Sequence, residues 1–513
     1  MRIGIDVGGT NTDAVLLEGR EVISWAKRPT TPNVTDGIRA ALQAVLSGTD
    51  VAPRDIGAVM IGTTHFTNAV VQRRELDRIA AVRLGLPATQ AIPPLTDWPD
   101  ELREAVAGLV RLLPGGHQFD GREIAPLDRA AVDQLIAELR AEGIDTVAVS
   151  AVFSPAVPDH ERAIGAWLRE ALPGVHLTLS HEIGRLGLLE RENAAALNAC
   201  LNTLARRTIS AFTRALAELG IEAPLYLSQN DGTLMAAGFA ARYPVLTFAS
   251  GPTNSMRGAA ALSGIADAVV LDVGGTTTDG GVLVNGFPRE ASFEVEVGGV
   301  RTNFRMPDVV SVGLGGGSLV TADGGRVGPQ SVGYRLTEEA LIFGGRTLTA
   351  SDIAVAAGRA SFGDPARARS LPVDLVQRAL SVIDGRLSEL VDALKTSPDP
   401  VPVVVVGGGS VLVPDEIEGA SVVVRPPYAE VANAIGAAIA QVSGEVDRVF
   451  SLEGRSRDAV LAEAKAEAER LAVEAGADPA TVSVVEVDEI PLAYLPSTAV
   501  RIRVKAVGNL RGV

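Results

Sequence analysis

The segment Asp6-Val7-Gly8-Gly9-Thr10-Asn11-Thr12-Asp13 recurs 266 residues later as Asp272-Val273-Gly274-Gly275-Thr276-Thr277-Thr278-Asp279, and seven of the eight positions are identical. Each copy lies between two short apolar runs, which are 3–5 and 14–17 for the first copy and 269–271 and 282–284 for the second. This order predicts a strand, a tight glycine turn and a second strand. We therefore expect two similar β-hairpins, one in each half of the chain.

The residue types of these hairpins suit an anion together with a divalent cation. Adjacent glycines lack a Cβ atom, so backbone N–H groups can approach an anion closely, and the threonine hydroxyls add further donors. An ionised aspartate at the end of the first strand can hold the water shell of Mg²⁺, which keeps several waters and takes few direct carboxylates. Two such hairpins together could bind one Mg-nucleotide.

Other phosphate-binding motifs do not fit either copy. A Walker-type loop requires Gly-Lys-Ser/Thr at the start of a helix, and a Rossmann fingerprint requires a third glycine inside a helix. For one copy alone, a glycine turn without a ligand is an equally good interpretation, because Gly-Gly is common in hairpins. The repetition, with both flanking aspartates present, exceeds what turn chemistry needs and favours a ligand site.

Length and composition narrow the class of protein. A chain of 513 residues predicts two or three domains, and 47% hydrophobic but only 4% aromatic residues indicate closely packed aliphatic α/β layers. The formal charge of −16 argues against a nucleic-acid binder. Cys200 is the only cysteine, which fits a reducing compartment. Since no secretory signal and no apolar stretch of membrane length is present, we expect a cytoplasmic protein without a membrane partner.

The order of periodic segments predicts three parts. Residues 1–243 and 244–443 are each expected to form one lobe with one hairpin, and alternating helices and strands predict mostly parallel sheets. The segment 83–128, rich in Pro, Gly and Asp, is expected to be an insertion or a cap over the site. Residues 444–513 are expected to form a small α/β appendage with an interaction or capping role.

Two further glycine-rich loops are candidates for ligand binding. The triple glycine 407–409 follows a buried-strand pattern and could let an adenine or a ribose lie against the backbone. The loop 313–318 could bring backbone donors to a substrate or a γ-phosphate. The alternatives are a plain turn after a strand for the first loop and a mobile loop without a ligand for the second.

Three polar segments complete the set of candidates. Thr64, His65 and Asn68 follow a strand and begin a predicted helix, where polar groups can meet a ligand, although a helix cap is an equally good interpretation. The charged segment 190–193 lies near the start of a helix and is either functional or a solvated face. Asp231 is likewise either functional or part of a solvated face.

The paired hairpins and the late glycine loop resemble the superfamily of actin, sugar kinases and heat-shock chaperone ATPases. The order of motifs is similar to that of the hydantoinase A and 5-oxoprolinase family. These motifs are 8–13, 62–69, Ser250-Gly251-Pro252, 272–279 and Gly315-Gly316-Gly317-Ser318, and the likeness covers roughly residues 1 to 440. It implies an α/β fold with two ribonuclease H-like lobes, as in actin-like ATPases, around a central nucleotide cleft, beside the small C-terminal α/β appendage.

The resemblance also implies a function. In that family, ATP is thought to phosphorylate the amide oxygen of a cyclic lactam or imide, which water can then open. An ATP-dependent amidohydrolase, or its ATPase subunit, is therefore expected, with ATP and Mg²⁺ as ligands and a cyclic amide such as a hydantoin or 5-oxoproline as substrate. Two other functions stay open, namely a small-molecule kinase of the sugar-kinase type and a non-enzymatic ATPase switch or reactivating chaperone.

The family's site roles are carried over to matching positions. Phosphate binding would fall to the two hairpin turns and the later glycine loop: Gly8, Gly9, Thr10, Asn11, Thr12, Gly274, Gly275, Thr276, Thr277, Thr278, Gly316 and Gly317. The adenosine side would fall to Gly407, Gly408 and Gly409. Catalytic roles would fall to Asp6, Asp13, Asp272 and Asp279, of which Asp6 and Asp272 would order Mg²⁺ through water. Substrate contacts are expected from the sequence positions, and not from the resemblance, at Thr64, His65, Asn68 and Asp231.

The chain departs from the family pattern at several points. Asn11 stands where the family commonly carries an aromatic residue, and His65 and Phe66 stand where smaller residues are usual. The chain also ends before the long C-terminal region of typical members. These departures leave the nucleotide-binding motifs intact and bear on which substrate is bound. Many relatives work with a separately encoded hydantoinase B-like subunit, so such a partner is expected here, and a homo-oligomer is a further candidate.

Overall fold

Both copies of the repeated segment lie at the turns of antiparallel hairpins. The computed structural model describes residues 1–8, 11–30, 34–291, 295–303, 306–492 and 499–512. In the first hairpin Asp6 is paired with Asp13, and in the second Asp272 is paired with Asp279. The two predicted hairpins are therefore confirmed. Gly9 and Thr10, which the sequence assigns to the first turn, lie outside the described residues.

Strands and helices alternate through most of the chain. The described strands are β1 (Arg2–Val7), β2 (Asn11–Glu18), β3 (Glu21–Pro29), β4 (Ala58–Thr63), β5 (Ile79–Leu86), β6 (Ala107–Pro114), β7 (Thr146–Ala151), β8 (His176–Leu179), β9 (Leu225–Ser228), β10 (Thr233–Ala236), β11 (Ala268–Val273), β12 (Thr278–Val284), β13 (Phe287–Pro288), β14 (Val295–Val297), β15 (Val300–Thr302), β16 (Val309–Val312), β17 (Ser318–Val320), β18 (Val327–Ser331), β19 (Val401–Val406), β20 (Ala420–Val424), β21 (Gln441–Ser451), β22 (Ser483–Pro491) and β23 (Ala499–Gly508).

The described helices are α1 (Val34–Ser47), α2 (His65–Gln72), α3 (Asp100–Val106), α4 (Arg129–Glu142), α5 (Asp159–Ala171), α6 (Leu188–Cys200), α7 (Asn202–Glu218), α8 (Ala237–Arg242), α9 (Ser250–Ser263), α10 (Leu336–Glu339), α11 (Ala350–Ala356), α12 (Pro365–Ala368), α13 (Val373–Leu394), α14 (Ala432–Ile439) and α15 (Arg457–Glu474). None of these helices combines the length and the apolar character that crossing a membrane requires.

The same five-strand order occurs twice. In the N-terminal sheet the order is β3-β2-β1-β4-β9, where β2 is antiparallel to both neighbours and β1, β4 and β9 are parallel. In the second sheet the order is β13-β12-β11-β19-β20, with the same directions. The parallel strands β4 and β19 are apolar and largely buried, as expected for strands covered on both faces. Each hairpin therefore occupies the equivalent place in its own sheet.

The C-terminal residues extend the N-terminal sheet. β21 pairs in parallel with β10, and β23 and β22 follow, which gives a sheet of nine described strands. The helix α15 buries Ala464, Ala468 and Ala472 against this extension. Gly444 of β21 lies so close to the helix that a Cβ atom there would overlap the carbonyl oxygen of Ala468. The helix and strands expected for residues 444–513 are present, but they continue a sheet instead of standing apart.

The insertion is larger than the expected segment 83–128. The strands β5 to β8 form a separate parallel sheet in the order β6-β5-β7-β8, so the inserted unit runs from β5 to β8. The helices α4 and α5 pack against this sheet. The sequence predicts alternating helices and strands but not the sheet to which each strand belongs. The difference arises because periodicity predicts that a strand is buried but does not identify the strand with which it pairs.

The charged segment at the start of α6 anchors the inserted sheet. Arg83 of β5 donates from Nε to Glu192 Oε2 at 2.7 Å, and Ser150 of β7 donates to the same oxygen at 2.6 Å. The guanidinium of Arg191 donates to the carbonyl oxygen of Ala151 at 2.6 Å. All of these side chains are buried. The segment is therefore not a solvated face, because the charges of Arg191 and Glu192 join α6 to the inserted sheet.

Two helices cross between the main sheets at glycines. A Cβ atom at Gly436 of α14 would overlap the carbonyl oxygen of Asn254 in α9, and a Cβ atom at Gly258 of α9 would overlap the carbonyl oxygen of Ala432. Gly4 of β1 makes an equally close approach to α14. The absence of side chains at these three positions lets α14 lie directly on the strand that carries the first hairpin.

Candidate active site

Four aspartates lie at the strand ends of the two hairpins. Asp6 is 4% exposed and Asp13 is 3% exposed. Asp272 and Asp279 occupy the equivalent positions in the second hairpin and are partly buried. Asp6 lies in β1, which pairs in parallel with β4, and Asp272 lies in β11, which pairs in parallel with β19. Both carboxylates therefore lie at the carboxyl edge of parallel strands, where α/β sheets bind ligands.

Helix α9 contacts both hairpins through consecutive residues. Asn254 donates from Nδ2 to Asp6 Oδ1 at 3.4 Å, and Ser255 donates from its hydroxyl to Asp272 Oδ2 at 2.5 Å. Neighbouring Cα atoms are only about 3.8 Å apart. One helix therefore brings together a carboxylate from each hairpin. The motif Ser250-Gly251-Pro252 begins α9, but no local sequence signal indicates a role for Asn254 or Ser255.

The pKa values of these carboxylates are raised. Burial, followed by repulsion from Asp13, raises the pKa of Asp6 to about 7, and the charge of Asp272 adds to the effect. Burial also raises the pKa of Asp272 to about 6, with a further contribution from Asp279. For Asp13 and Asp279, burial again raises the pKa above its ordinary value. Burial is the largest cause for all four carboxylates, so their ionised forms are disfavoured at this site.

Two residues outside the predicted set contact the first pair of carboxylates. Lys27 of β3 donates from Nζ to Asp13 Oδ2 at 2.7 Å. Asn433 of α14 donates from Nδ2 to Asp6 Oδ2 and to Asp13 Oδ2, both at 3.0 Å. The other residues of α14 are small or aliphatic. Its one amide side chain was the signal that could have indicated a polar contact.

The donor set fits a hard divalent cation. Its ligand atoms are carboxylate oxygens, which Mg²⁺ prefers, and they come from strand ends held in place by α9 and α14. Burial, and after it repulsion between the carboxylates, raises the pKa values of Asp6 and Asp272, and a cation at this point would favour their ionised forms. Asp6 and Asp272 could therefore hold Mg²⁺, either directly or through its water shell.

The turn of the second hairpin presents free backbone donors. The N–H of Gly274 closes the turn by donating to the carbonyl oxygen of Thr277 at 2.8 Å, and Gly8 makes the equivalent bond to Asn11 at 3.0 Å. Within the described part of the chain, the N–H groups of Gly275, Thr276 and Thr277 have no hydrogen-bond acceptor. Three successive free N–H groups could cradle an anion such as a phosphate.

Two of the predicted phosphate ligands use their hydroxyls elsewhere. The side chain of Thr278 is fully buried and donates to the carbonyl oxygen of Leu314 at 2.6 Å. Thr12 is also fully buried, and its hydroxyl lies 3.3 Å from that of Thr30, which in turn donates to the carbonyl oxygen of Gly8. The structure therefore corrects the expectation that the hydroxyls of Thr12 and Thr278 contact a ligand. They hold the two turns to neighbouring loops.

The loop 313–318 supports the second hairpin. Gly316 donates its N–H to the carbonyl oxygen of Gly274 at 3.0 Å, and Gly317 donates to that of Gly275 at 2.7 Å. A Cβ atom at Gly315 would lie 2.6 Å from the backbone nitrogen of Thr276. The N–H groups of Gly316 and Gly317 are thus already paired, and their assignment to phosphate binding stays a prediction. The glycines permit two backbone segments to lie side by side.

The triple glycine lies beside Asp272. Gly407 and Gly409 donate their N–H groups to the carbonyl oxygens of Ala429 and Val273, at 2.8 and 2.7 Å. A Cβ atom at Gly407, whose φ is +88°, would overlap the carboxylate of Asp272. Gly408 is exposed and has open space around its Cα atom. The loop thus combines two packed glycines with one that is open to a ligand.

Two of the four predicted substrate residues border the first hairpin. The N–H of Thr64 lies 3.4 Å from the carbonyl oxygen of Val7, and Asn68 donates to the hydroxyl of Thr64 at 3.3 Å. His65 instead lines a cavity of about 630 Å³ together with Arg207 and Phe212 of α7. Neither hairpin contributes a described residue to the lining of that cavity. Burial lowers the pKa of His65, so its imidazole is neutral at physiological pH.

Asp231 forms a buried ion pair. Its Oδ2 lies 2.7 Å from Nζ of Lys505 in β23, and Thr233 donates to its other oxygen. Burial opposes ionisation of Asp231, but Lys505 and these hydrogen bonds outweigh it and lower the pKa to about 2. The residue lines a cavity of about 450 Å³ with Arg185 and Glu445. The structure therefore assigns it to the junction of the N-terminal sheet with β23, and not to the hairpins.

Comparison with known protein families gives two adjoining matches. Residues 2–172 match the hydantoinase/oxoprolinase N-terminal region, and residues 191–394 match hydantoinase/oxoprolinase. The chain belongs to the hydantoinase/oxoprolinase family. The resemblance to this family that the hairpin motifs indicate is confirmed, and the two matched regions include both hairpins.

The chain is similar to two named proteins. It is 28% identical over 359 residues to caprolactamase subunit alpha of Pseudomonas jessenii, which covers 65% of this chain and 51% of that one. It is 30% identical over 397 residues to the acetophenone carboxylase gamma subunit of Aromatoleum aromaticum, covering 69% and 53%. The chain thus spans about half the length of these relatives.

The family fold is seen in a solved relative. The crystal structure of ATP-dependent caprolactamase from Pseudomonas jessenii superposes with a TM-score of 0.80 at 20% identity, covering 100% of this chain and 88% of the other. At this identity the likeness concerns the fold. It extends to the whole mixed α/β architecture, including the inserted sheet and the C-terminal strands.

Proposed function

We propose that the chain is an ATP-dependent amidohydrolase, or the ATPase subunit of one, which opens a cyclic amide after phosphorylation of the amide oxygen. Support comes from family membership and from a relative described as an ATP-dependent caprolactamase. Caprolactam joins hydantoin and 5-oxoproline as a substrate candidate for that reason. The observation that carries the proposal is the pair of equivalent hairpins whose aspartates are contacted by adjacent residues of α9.

The two main sheets are proposed to be ribonuclease H-like lobes of the actin type. Their identical strand order and directions, and the two helices that cross between them, support this assignment. In such an arrangement a nucleotide lies between the lobes with its phosphates at both turns. The free N–H groups of Gly275, Thr276 and Thr277 would bind phosphate oxygens, and the open backbone at Gly408 would lie on the adenosine side.

The aspartates would act through charge and position. Asp6 and Asp272 would hold Mg²⁺, which when bound neutralises phosphate charge. Asp13 and Asp279 lie opposite them across the ladders and would orient the water shell. Asn254, Ser255 and Asn433 hold the first two carboxylates in place. Phosphoryl transfer depends mainly on such positioning and charge neutralisation, so the residues that fix these carboxylates contribute to the rate.

The decisive experiment measures MgATP turnover in Asp6→Asn and Asp272→Asn variants. Both should lose at least 100-fold in turnover, because one positioned electrostatic contact typically contributes about that factor. Circular dichroism and urea unfolding should report an intact fold. Asp50→Asn, which removes an exposed carboxylate far from the hairpins in sequence, is the matched control and should keep full activity. Wild-type turnover in both hairpin variants would overturn the proposal.

A second subunit is proposed to complete the reaction. The relatives named above are subunits of larger enzymes, and this chain spans about half of their length. ATP turnover should be assayed across hydantoin, 5-oxoproline and caprolactam, with and without a hydantoinase B-like protein. Formation of the ring-opened acid only in the presence of that protein would support the assignment. Release of a stable phosphorylated product by the chain alone would contradict it and favour a kinase.

A further inference from the structure

A cavity of about 500 Å³ lies at the amino-terminal ends of strands β7 and β8 in the inserted sheet. The end of α5, the junction of α6 and α7, and α8 complete its walls. Its charged and amide side chains are Arg169, His176, Asn198, Asn202, Arg206 and Arg242. The volume falls within the range of small-molecule pockets, which is about 300–1,000 Å³.

The charge of this cavity is opposite to that of the chain. The formal net charge is −16, yet the described residues that line the cavity include three arginines and no aspartate or glutamate. Arg242 is paired with Glu182 at 2.8 Å, outside the lining. Within the described part of the chain, Arg169 and Arg206 have no carboxylate partner, and Arg206 Nη1 lies 3.0 Å from His176 Nε2. Two guanidinium groups are thus available to a ligand.

Two amide atoms on the wall of the cavity also lack partners. Asn198 is 2% exposed, and its Nδ2 donates to Thr178 Oγ1 at 3.0 Å and to the carbonyl oxygen of Arg242 at 2.9 Å. Its Oδ1 accepts no hydrogen bond, and Nδ2 of Asn202 donates none. Unpaired buried polar atoms are costly. A ligand oxygen could accept from Asn202, and a ligand hydroxyl or a bound water could donate to Asn198.

We propose that this cavity binds a small anion with at least two negative charges, a phosphate monoester or a dicarboxylate. The planar guanidinium fork matches the oxygen geometry of both groups. None of the described residues that line the cavity belongs to either hairpin or to the glycine loops 313–318 and 407–409. The site is therefore separate from the hairpins and does not depend on the proposed function.

The test is direct titration of the full-length protein at constant ionic strength. Inorganic phosphate and malonate serve as separate probes, with chloride as the reference ion, and calorimetry measures the dissociation constants. The double variant Arg169→Gln/Arg206→Gln removes the two guanidiniums without a carboxylate partner. The control Arg20→Gln/Arg54→Gln removes two exposed arginines outside the cavity and has the same net charge. Neither double variant changes a residue of the two repeated segments 6–13 and 272–279.

The wild type and the control should bind at least one probe with the same affinity, and the cavity variant should bind it at least tenfold more weakly. Preference for phosphate over malonate, or the reverse, then identifies the ligand class. Equal affinity in the cavity variant and the control would overturn the proposal. A failure of both probes to bind the wild type would also overturn it.

Discussion

At the scale of single residues, Asp6 is the group on which charge, burial and position converge. Its carboxylate receives amide donors from Asn254 and Asn433, and it faces Asp13 across the hairpin. These donors stabilise the ionised form, but burial and repulsion outweigh them and raise its pKa to about 7. In the absence of a cation, the folded protein therefore holds a proton that the unfolded chain releases near pH 4.

This difference predicts the sign of a pH effect on Asp6→Asn. Between about pH 4 and pH 7 the unfolded wild type binds fewer protons than the folded protein, so its stability falls as the pH rises. The variant has no carboxylate at position 6, so its stability does not fall with rising pH for this reason. It should exceed the wild type in free energy of unfolding by about 1–4 kcal/mol at pH 8, and by almost nothing below pH 4.

Urea unfolding in metal-free buffer at pH 4, 6 and 8 measures this effect. Asp50→Asn should match the wild type at every pH, since its carboxylate is exposed. A stability difference between Asp6→Asn and the wild type that does not change with pH would show that the Asp6 carboxylate ionises normally in the fold.

At the scale of elements, the crossing of α9 and α14 determines the position of the amides. Asn254 and Asn433 approach Asp6 from these two helices. The helices can lie this close only because Gly258 and Gly436 have no side chain at the crossing. A helix interior normally disfavours glycine by about 1 kcal/mol relative to alanine. The close approach therefore outweighs local helix propensity.

Gly436→Ala should consequently destabilise the protein by about 1–3 kcal/mol, because the added methyl group forces the helices apart. The same change at Gly385, in the middle of α13 with open space around it, is the matched control and should be neutral or stabilise by up to about 1 kcal/mol. Urea unfolding of both variants measures the difference. Equal stability of the two would mean that the crossing tolerates a wider separation. MgATP turnover, if the proposed function holds, should fall only in Gly436→Ala.

At the scale of the whole molecule, the C-terminal strands connect distant parts of the chain. Lys505 of β23 pairs with Asp231, which follows β9, and Arg503 pairs with Glu290, which follows β13 of the second sheet, at 2.5 Å. Asp231 also lies near Arg257 of α9. The last strand thus contacts both main sheets and the surroundings of the helix that joins the hairpins.

Lys505→Met should lower the free energy of unfolding by about 3–5 kcal/mol at pH 7, because it leaves the carboxylate of Asp231 buried without its partner. The wild-type pKa of Asp231 is lowered to about 2. The stabilisation is therefore present above about pH 4 and is lost as the pH falls towards 2, so the variant and the wild type should converge in acid.

The double variant Asp231→Asn/Lys505→Met is the control for this pair. It removes both charges and should recover most of the stability, since replacing a whole buried pair is far less costly than breaking it. Thermal or urea unfolding at pH 3 and pH 7 distinguishes these outcomes. A double variant as unstable as Lys505→Met would mean that the loss comes from the packing of Lys505 instead of its charge.

The two hairpins could be predicted because their signal is local. Apolar runs, a glycine turn and paired aspartates all lie within about fifteen residues, and the repetition 266 positions later indicates a second equivalent unit. Hydrogen bonds between neighbouring strands joined by a short turn need little help from the rest of the fold. The family likeness follows from the same motifs.

The partners of the hairpins depend on tertiary structure. Asn433 reaches Asp6 across 427 positions of sequence, and Asn254 reaches it across 248. Nothing local distinguishes the free N–H of Gly275 from the paired N–H of Gly317, because each is a glycine in a glycine-rich loop. Whether such a donor meets a ligand or a neighbouring carbonyl depends on how two separate loops pack, and only the folded chain decides it.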